Sequence, residues 1–498
     1  MNQTTSEDLT INGRRVSVPG VDRTFHRGAM LAVLLIPFAM SQMSMSSINV
    51  AVPAITQGLG ASQQAIQLLI SGYVLMFGVV LVAAGRIGDV LGRCATFIAG
   101  VTIFACASLV SALAPDAMTL TVARFVQGIG SGLAAPQTNG MIVQYFSGQA
   151  RARAFAWWGP TVSLSISLGP VITGAFINAL GPERGWRASF FWNVPLGILA
   201  IVLAIWLLPF EQERARRAAR REPPAMTRRR LDLDPVGMLL LTATVLAIML
   251  PFIIRRASAW WLLLGGIVGL IGWVAWERRY RARGGSPMVD LSLFQRRSFS
   301  HAIAISAVSF MAAPALLLII PLFVQQAAGV QAFQAGLIGV PNALAVAVAS
   351  FIAGRQVLRR GRRNSVLAQV INISGVLLIM TLVTPIADGE LSFWWLALAA
   401  IIPGFGVGLL NASNLTLAQL EVPREIGATA GGVKQTCERI GTAIGQAMLT
   451  GLLFSTMTSG WVPAMVLTLG AIIAIFVISL GLAGYDLRSQ GEPQGRSA

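Results

Sequence analysis

Long apolar segments, separated by short polar ones, fill almost the whole chain. A segment of about 20 apolar residues is long enough for an α-helix to cross the hydrocarbon core of a bilayer. Fourteen segments have this length, and they are residues 29–52, 64–84, 94–114, 117–144, 154–180, 189–209, 234–254, 258–276, 299–325, 335–354, 365–384, 393–417, 429–455 and 461–483. We therefore predict an all-α polytopic membrane protein with fourteen transmembrane helices.

The composition agrees with this class. Hydrophobic residues make up 55% of the 498 residues, charged residues only 11%, and the mean hydropathy is +0.70. A soluble domain carries about 25% charged residues. The three cysteines, Cys94, Cys106 and Cys437, have no spacing typical of a disulfide framework or a zinc site. No Walker-type phosphate loop is present, Lys434 is the only lysine, and no span pairs a nucleophile with a histidine. We expect neither an enzyme nor a protein with a bound cofactor or metal.

The net charge of +17 is distributed very unevenly. Only three basic residues lie within the spans, and these are Arg124, Lys434 and Arg439. The loops on one side of the membrane contain only four, which are Arg184, Arg187, Arg255 and Arg256. All the other basic residues fall on the opposite side, which the positive-inside rule makes cytoplasmic. This predicts a multi-pass plasma-membrane protein with both termini cytoplasmic, and the ratio of 36 arginines to one lysine indicates a GC-rich, bacterial genome. The basic face is expected to meet anionic lipid, and nucleic acid is not expected as a partner.

Two sequence patterns occur twice. Gly85-Arg86 and Gly92-Arg93 are separated by the same spacing as Gly354-Arg355 and Gly361-Arg362, and the Gly-x-Gly-x-Gly of 128–132 returns at 404–408. In both repeats the second copy lies eight spans after the first. Eight spans are one six-helix bundle plus two further helices, so the chain is predicted to contain two six-helix bundles with two helices inserted between them. The predicted boundaries are a cytoplasmic segment 1–28, a first bundle 29–209, a basic linker with two inserted helices 210–298, a second bundle 299–483 and a cytoplasmic tail 484–498.

Several motifs lie in order at the matching topological places. They are the loop Gly85, Arg86, Asp89, Gly92 and Arg93; Arg124, Gln127 and Gly128 in span four; Gly169, Pro170 and Gly174 in span five; and Trp186-Arg187 followed by Asn193-Val194-Pro195-Leu196-Gly197 at the entry to span six. With these motifs the chain resembles the major facilitator superfamily, in particular its fourteen-helix drug:proton antiporter branch. Ala175 stands where the span-five motif usually has a second glycine.

The resemblance implies roles for two of these motifs. It places the loop of Asp89 against the other half of the protein, near the start of span thirteen, where a carboxylate meets the positive end of a helix dipole. Such a contact would form when the inner side closes and break when it opens; simple helix capping is the alternative. Gly169-Pro170 is expected to bend or seal span five, since proline removes a helix hydrogen bond and small residues allow close packing.

One departure from the family concerns the proton site. The branch usually carries an Asp in span one, shortly before an Asn-Val-Ala-x-Pro sequence, and this chain has Ser44 there. Glu438 is the only carboxylate that the predicted boundaries place well inside a span, one helical turn from Lys434, whereas Arg439 lies on another face of that helix. We therefore predict that Glu438 carries the proton and that Lys434 tunes it; a structural ion pair is the alternative.

The predicted substrate cavity combines adaptable methionine and aromatic side chains with amides. Its candidate residues are Gln42, Met43, Ser44, Met45, Gln67, Tyr73, Phe310, Met311 and Gln435. We expect a monomer that exports amphipathic compounds in exchange for protons, with Arg124 or Lys434 attracting a neutral or anionic substrate. The alternatives are a dedicated metabolite or lipid transporter on the same scaffold without proton coupling, and a membrane sensor or scaffold that does not transport.

Overall fold

The computed structural model describes residues 10–12, 15–17, 24–210, 233–254, 257–327, 329–330 and 332–490, and helices dominate this part of the chain. The helices are α1 (Arg27–Leu59), α2 (Gln63–Leu91), α3 (Arg93–Leu113), α4 (Ala117–Tyr145), α5 (Gly148–Ala156), α6 (Trp158–Phe191), α7 (Asn193–Leu207), α8 (Pro235–Ile254), α9 (Trp261–Ala282), α10 (Arg297–Ala327), α11 (Ala332–Leu337), α12 (Gly339–Ala387), α13 (Trp394–Ala399), α14 (Ile401–Ala418), α15 (Gly427–Thr456) and α16 (Trp461–Gln490). The predicted basic linker at 211–230 lies outside the described residues.

Turn chemistry explains several helix ends. Gly60 follows α1 with a φ of 57°, a left-handed conformation that glycine adopts without steric cost. The hydroxyl of Ser62 accepts a hydrogen bond from the Ala65 N–H (3.2 Å) at the start of α2. Asp116 accepts one from the Thr119 N–H (2.8 Å) at the start of α4. These are N-cap bonds, which satisfy backbone donors that have no partner within the helix.

A small antiparallel sheet precedes α1, and the sequence analysis did not predict it. Its strands are β1 (Thr10–Asn12), β2 (Arg15–Ser17) and β3 (Thr24–His26), with Ile11 opposite Val16 and Val16 opposite Phe25. Three-residue strands in a polar segment are too short to show a period-two pattern. The prediction of an all-α protein is therefore correct for the helical body and wrong for this short segment.

Eleven helical stretches in the described residues are long and apolar enough to cross a membrane. Two of them are much longer than one crossing: residues 148–207 and 334–387 span 60 and 54 residues. Each is interrupted by a residue with non-helical angles, Gly181 in α6 and Arg360 in α12. Helix α4 is not among the eleven, because its buried polar residues lower its hydropathy.

The helices pack into two groups. Helices α1 to α7 pack against one another, and helices α10 to α16 form the second group around α12, α14 and α16. Helices α8 and α9 pack against each other, and α8 contacts both α2 of the first group and α15 of the second. We call these groups the N-half, the C-half and the inserted pair. The segments Gly85–Arg93 and Gly354–Arg362, predicted as loops, are largely helical. Helix α2 continues to Leu91 and only Gly92 separates it from α3, whereas the second segment lies inside α12, with Arg360 as its one non-helical residue. We keep the name loop for both segments and call the side on which they lie the Gly-Arg face.

The two Gly-x-Gly-x-Gly segments are places of close helix packing. A Cβ atom on Gly130 of α4 would come within 2.5 Å of the Phe104 backbone nitrogen of α3. One on Gly404 of α14 would come within 2.6 Å of the Asn342 carbonyl oxygen of α12. Real Cβ atoms do not approach backbone atoms so closely, so both segments require glycine for its size.

We predict that Gly130→Ala destabilises the protein. The added methyl group forces α3 and α4 apart, and overpacking of this kind costs about 1–3 kcal/mol. Gly174→Ala is the matched control, because a Cβ there meets no atom within 4 Å. Thermal unfolding in detergent should show a lower apparent melting temperature for Gly130→Ala and an unchanged or higher one for Gly174→Ala; equal melting temperatures would contradict the packing argument.

Candidate functional site

The carboxylate of Asp89 reaches from the N-half to the first turn of α15 in the C-half. Its Oδ2 accepts hydrogen bonds from the Thr429 N–H (2.9 Å) and the Thr429 hydroxyl (2.7 Å), and Oδ1 accepts one from the Ala428 N–H (3.3 Å). The residue that precedes α15, Ile426, has no side chain that can cap it. Asp89 therefore caps α15 from the opposite half, at the positive end of its helix dipole.

Gly85 lets the two halves approach at the same place. A Cβ atom on this residue would lie 2.7 Å from the Ala428 carbonyl oxygen and 2.8 Å from the Thr429 Cα atom. Gly92, which separates α2 from α3, has a φ of 113°, a conformation that other residues rarely adopt. The glycines of the loop thus allow the chain to turn and to bring Asp89 against α15.

The two arginines of the loop hold its surroundings. Arg93 is buried and donates to Asp89 Oδ1 (2.9 Å from Nε and 2.6 Å from Nη2), to the Gly140 carbonyl (2.8 Å) and, across the two halves, to the Arg424 carbonyl (2.5 Å). Arg86 donates to the Ser286 carbonyl (3.0 Å) and so joins the loop to the segment that follows the inserted pair. We call Asp89, Arg93, Ala428 and Thr429 the gate cluster.

The second copy of the loop is built differently. Leu358 stands where Asp89 stands in the first copy. The halves meet there through Gln149 of α5, whose amide donates to the carbonyls of Gly354 (2.8 Å) and Arg355 (3.2 Å). Arg362, the counterpart of Arg93, binds Asp486 of α16 within its own half (3.2 Å). Only the first copy therefore closes the interface with a charge.

Arg124 lies fully buried at the centre of the N-half. Its Nη1 donates to the Ser44 hydroxyl (3.0 Å) and to Gln127 Oε1 (2.6 Å), and its guanidinium lies 4.2 Å from the centre of the Tyr73 ring. Its Nε and Nη2 atoms have no hydrogen-bond partner. The structure thus brings together four of the predicted residues, Ser44, Tyr73, Arg124 and Gln127. Gly128 has a packing role instead, because a Cβ atom there would lie 2.5 Å from the Tyr73 carbonyl oxygen.

Arg439 approaches the same region from the C-half, and the sequence analysis did not include it in the site. It lies on a different face of α15 from Lys434 and Glu438, as predicted, and this face meets the N-half. Its guanidinium lies 4.7 Å from the centre of the Phe77 ring, and its Nη1 is 3.8 Å from Met45 Sδ. A side chain that is charged and within a predicted span was the available signal.

Lys434 and Glu438 form an ion pair on α15, with side chains 6% and 12% exposed. Gln435, beside them, is buried, and its Nε2 has no hydrogen-bond partner. The Thr436 hydroxyl donates to the Gly78 carbonyl of α2 (3.3 Å), so this part of α15 lies at the junction of the halves. The predicted pairing of Lys434 with Glu438 is present; its part in proton transfer stays a prediction.

The other predicted cavity residues are less closely connected. Gln42 is buried, and Met43, Phe310 and Met311 are half-buried. Met311 packs on α15, where a Cβ on Gly445 would lie 2.5 Å from its carbonyl carbon. The side chain of Gln67 lies outside the described part of the structure.

The span-five motif packs α6 against α1. A Cβ atom on Gly169 would come within 2.7 Å of the Met43 carbonyl oxygen, whereas one on Gly174 would meet no atom within 4 Å. Helix α6 keeps helical backbone angles through Pro170, and Gly181 is the residue within it that departs from them. The motif thus places α6 close to the Met43 turn of α1, and its role as a bending point stays a prediction.

The prediction that Glu438 is the only carboxylate well inside a span holds only for the predicted boundaries. Helix α9 extends to Ala282, beyond the predicted end at 276, and it contains Glu277, which is 1% exposed. Asp234, at the start of α8, is also buried and accepts a hydrogen bond from Trp276 Nε1 (2.9 Å). Hydropathy alone ended the span before Glu277 because four arginines follow closely. In the described residues no three His, Cys, Asp or Glu side chains lie together as a metal site requires.

Comparisons with known proteins agree on one family. The family model described as the Major Facilitator Superfamily matches residues 34–446. Similar curated proteins include a "Probable actinorhodin transporter" of Streptomyces coelicolor, 32% identical over 87% of this chain and 73% of its own, and the "Multidrug resistance protein Stp" of Mycobacterium tuberculosis, 29% identical over 83% and 73%. The "Methylenomycin A resistance protein" of Streptomyces coelicolor is 26% identical over 96% of each chain.

Solved structures show the same fold at low sequence identity. The crystal structure of the human organic anion transporter MFSD10 covers 92% of this chain and 99% of its own, with a TM-score of 0.64 and 13% identity. The proton:xylose symporter XylE covers 93% and 95%, with a TM-score of 0.65 and 12% identity. At these identities the likeness concerns the fold alone.

We predict that Asp89→Ala opens the Gly-Arg face. A helix cap together with a partly buried dipole contact contributes about 1–2 kcal/mol, enough to change the ratio of open to closed states by roughly tenfold. Spin labels on cysteines introduced at the exposed Arg153 and Arg359, with the native cysteines replaced, would report the distance between the halves. The longer distances should gain population.

Asp116→Ala is the matched control for this experiment. Asp116 also caps a helix, but its bonds to Thr119 stay within the first turn of α4 and do not join the two halves. The distance distribution should not change in this variant. An identical response of the two variants, or none in Asp89→Ala, would show that the gate cluster does not hold the halves together.

Proposed function

Because the chain belongs to the Major Facilitator Superfamily, we propose that it is a secondary active transporter that exports amphipathic drugs, antibiotics or metabolites in exchange for protons. Transport would proceed by alternating access, in which the two halves close on one side of the membrane and separate on the other. The observation that carries this proposal is the gate cluster. A carboxylate of one half caps a helix of the other, so the contact exists in the closed arrangement and is lost when the halves separate.

The proposal includes fourteen membrane crossings arranged as six, two and six. A helix of 60 residues would be about 90 Å long at 1.5 Å per residue, three times the thickness of the hydrocarbon core. The stretch 148–207 is therefore divided into two crossings near Gly181, and 334–387 is divided at Arg360. Helix α4 has 29 residues, enough for one crossing, and its polar residues are buried within the N-half. These three changes to the eleven stretches make fourteen.

The proposed orientation follows from charge. The basic residues concentrate at the Gly-Arg face, and positive loops stay on the cytoplasmic side. The Gly-Arg face and both termini would then be cytoplasmic, in contact with anionic lipid of a bacterial plasma membrane, and the protein would work as a monomer. The conformation described here, closed by the gate cluster, would be the one with its cytoplasmic side shut.

The proposed substrate class draws on the similar proteins. Their printed names speak of actinorhodin, methylenomycin A and multidrug resistance. The half-buried Met45 packs against a cluster that contains Met40, Tyr73 and Phe104, and flexible thioethers adapt to ligands of different shapes. This combination supports export of amphipathic compounds.

We assign proton transfer to Glu438. It is a carboxylate at the junction of the halves, only 12% of its side chain is exposed, and it pairs with Lys434. A proton on Glu438 would break that ion pair, and α15, which carries both residues, begins at the gate cluster. Protonation and opening are therefore coupled through one helix.

Purified protein in liposomes with an entrapped pH dye would test the proposal. A pH gradient is imposed, anionic, neutral and cationic amphiphiles are added, and proton movement is recorded. Substrate-dependent proton movement should occur with the wild type and fall at least about tenfold in Glu438→Gln. A side chain positioned to accept and donate a proton typically raises the rate of a reaction by a factor of about 10² or more. Glu277→Gln is the matched control, since it removes a buried carboxylate from the inserted pair and should retain proton movement.

Three results would contradict the proposal. Full proton movement in Glu438→Gln, or its loss in Glu277→Gln alone, would place the proton elsewhere. Flux without proton movement in any variant would leave a uniporter or lipid carrier on the same scaffold. Saturable binding without flux would indicate a sensor.

A further inference from the structure

Arg124 is a buried cation without a buried anion beside it. It is 0% exposed, and its hydrogen-bond acceptors are a hydroxyl, Ser44 Oγ, and an amide oxygen, Gln127 Oε1. In the described part of the chain no carboxylate forms a salt bridge with it, and two of its three nitrogens have no acceptor. An uncompensated buried charge costs several kcal/mol, whereas a cation–π contact returns only about 0.5–2 kcal/mol.

A second cation lies against the same structural elements. Arg124 stacks on Tyr73 and Arg439 on Phe77, and these two rings are one turn apart on α2, stacked with their centres 6.4 Å from each other. Arg124 binds Ser44 of α1, and Arg439 contacts the next residue, Met45. One arginine comes from each half, and we call them the arginine pair.

The neighbouring charges do not neutralise this pair. Glu438 adjoins Arg439 and attracts it electrostatically, but its carboxylate is bound to Lys434, so one negative charge faces two positive ones there. Asp89 is bound to Arg93 and to the first turn of α15. Among these described residues the positive charges exceed the carboxylates by two, and the arginine pair lies against the rings of Tyr73 and Phe77 and against Met45.

We propose that the arginine pair is a binding site for an amphipathic organic anion. The carboxylate of the ligand would lie between the guanidinium groups of Arg124 and Arg439, and its apolar part against Tyr73, Phe77 and Met45. Guanidinium groups bind carboxylates with short, charge-assisted hydrogen bonds, and the free Nε and Nη2 of Arg124 form the fork that bidentate binding requires. A cationic ligand would add a third positive charge and is disfavoured.

The pair also connects binding to the movement of the halves. Contact of Arg439 with Phe77 and Met45 crosses the interface, so it changes when the halves rotate. A ligand held by both arginines would be bound most tightly in conformations that bring them together, which gives it the differential affinity that shifts a conformational equilibrium. This inference rests on the proposed function only in taking the junction of the halves as the transport site.

Three probes that differ in charge would test the site: pyrenebutyrate, neutral pyrenebutyramide and a pyrenylbutyl-trimethylammonium cation. Binding to the purified full chain in neutral detergent is followed by fluorescence anisotropy. The wild type should bind the carboxylate at least about tenfold more tightly than the amide, and the cation most weakly. Arg439→Gln should remove most of this preference, and Arg439→Lys should keep part of it. Arg359→Gln, which removes an exposed arginine at the Gly-Arg face, should leave it unchanged.

Ser44 offers a second, independent test. Ser44→Asp places a carboxylate on Arg124, so it should lower the affinity for pyrenebutyrate about tenfold or more and leave that for the amide within about twofold. Ser44→Asn has nearly the same size without the charge and should keep the carboxylate preference. Size-exclusion profiles and melting temperatures identify variants that fail to fold. If the variants at one of the two positions, Arg439 or Ser44, fail to fold, those at the other position suffice for the test.

Two results would overturn the inference: equal affinity of the wild type for the carboxylate and the amide, or equal losses in Arg439→Gln and Arg359→Gln. Because binding in detergent needs no gradient, its outcome is separate from that of the transport assay. Carboxylate binding without substrate-linked proton movement would contradict the proposed function alone. Proton-linked transport of the cation without carboxylate binding would contradict this inference alone.

Discussion

The first turn of α15 has backbone donors that its own sequence does not satisfy. Ile426 precedes it, and an isoleucine side chain cannot accept a hydrogen bond. The acceptor comes from Asp89, more than 300 residues away in the chain, and this carboxylate is itself held by Arg93. The contact between the halves at the Gly-Arg face is therefore part of the local structure of a helix end, and α15 would lose its cap if the halves separated.

Glycines allow α15 to serve both halves. Near its start, a Cβ on Gly432 would lie 2.5 Å from the Leu81 carbonyl oxygen of the N-half. Further along, Gly441 and Gly445 face the backbone of α10 at Ala307 and Met311 in the C-half. Between these stretches lie Lys434, Glu438 and Arg439. The helix thus packs closely against both halves and carries its charges where they meet, so a change of charge there acts on the contact between the halves.

The sequence predicted the features that depend on local patterns and missed those that depend on contacts between residues far apart in the chain. Apolar length located the membrane helices well, because a membrane helix has to satisfy its own backbone within the bilayer. Apolar length did not predict how far the helices continue beyond the spans: α1 continues to Leu59, α9 to Ala282 and α16 to Gln490, since helices extend past the apolar core. Helical spacing paired Lys434 with Glu438, and the family motif pointed Asp89 at α15. No local pattern relates Arg439 to Phe77 and Met45, because a pair so far apart in sequence is defined only by the packed fold.

The proposed anion changes the energetics of the proposed exchange. A bound anion near a carboxylate favours its protonation, so Coulomb forces alone would bind substrate and proton together rather than in turn. The proposed exchange would therefore require substrate and proton to be bound in different conformations, and α15 would link the two because it carries both Arg439 and Glu438. Exporting one anion and importing one proton moves two elementary charges in the same electrical sense. At about 2.3 kcal/mol per charge for each 100 mV, an inside-negative membrane potential would drive the cycle as well as the pH gradient does. A cationic substrate exchanged for one proton would gain nothing from the potential. The proposed arginine pair would thus favour an anionic substrate, whose export the membrane potential also drives.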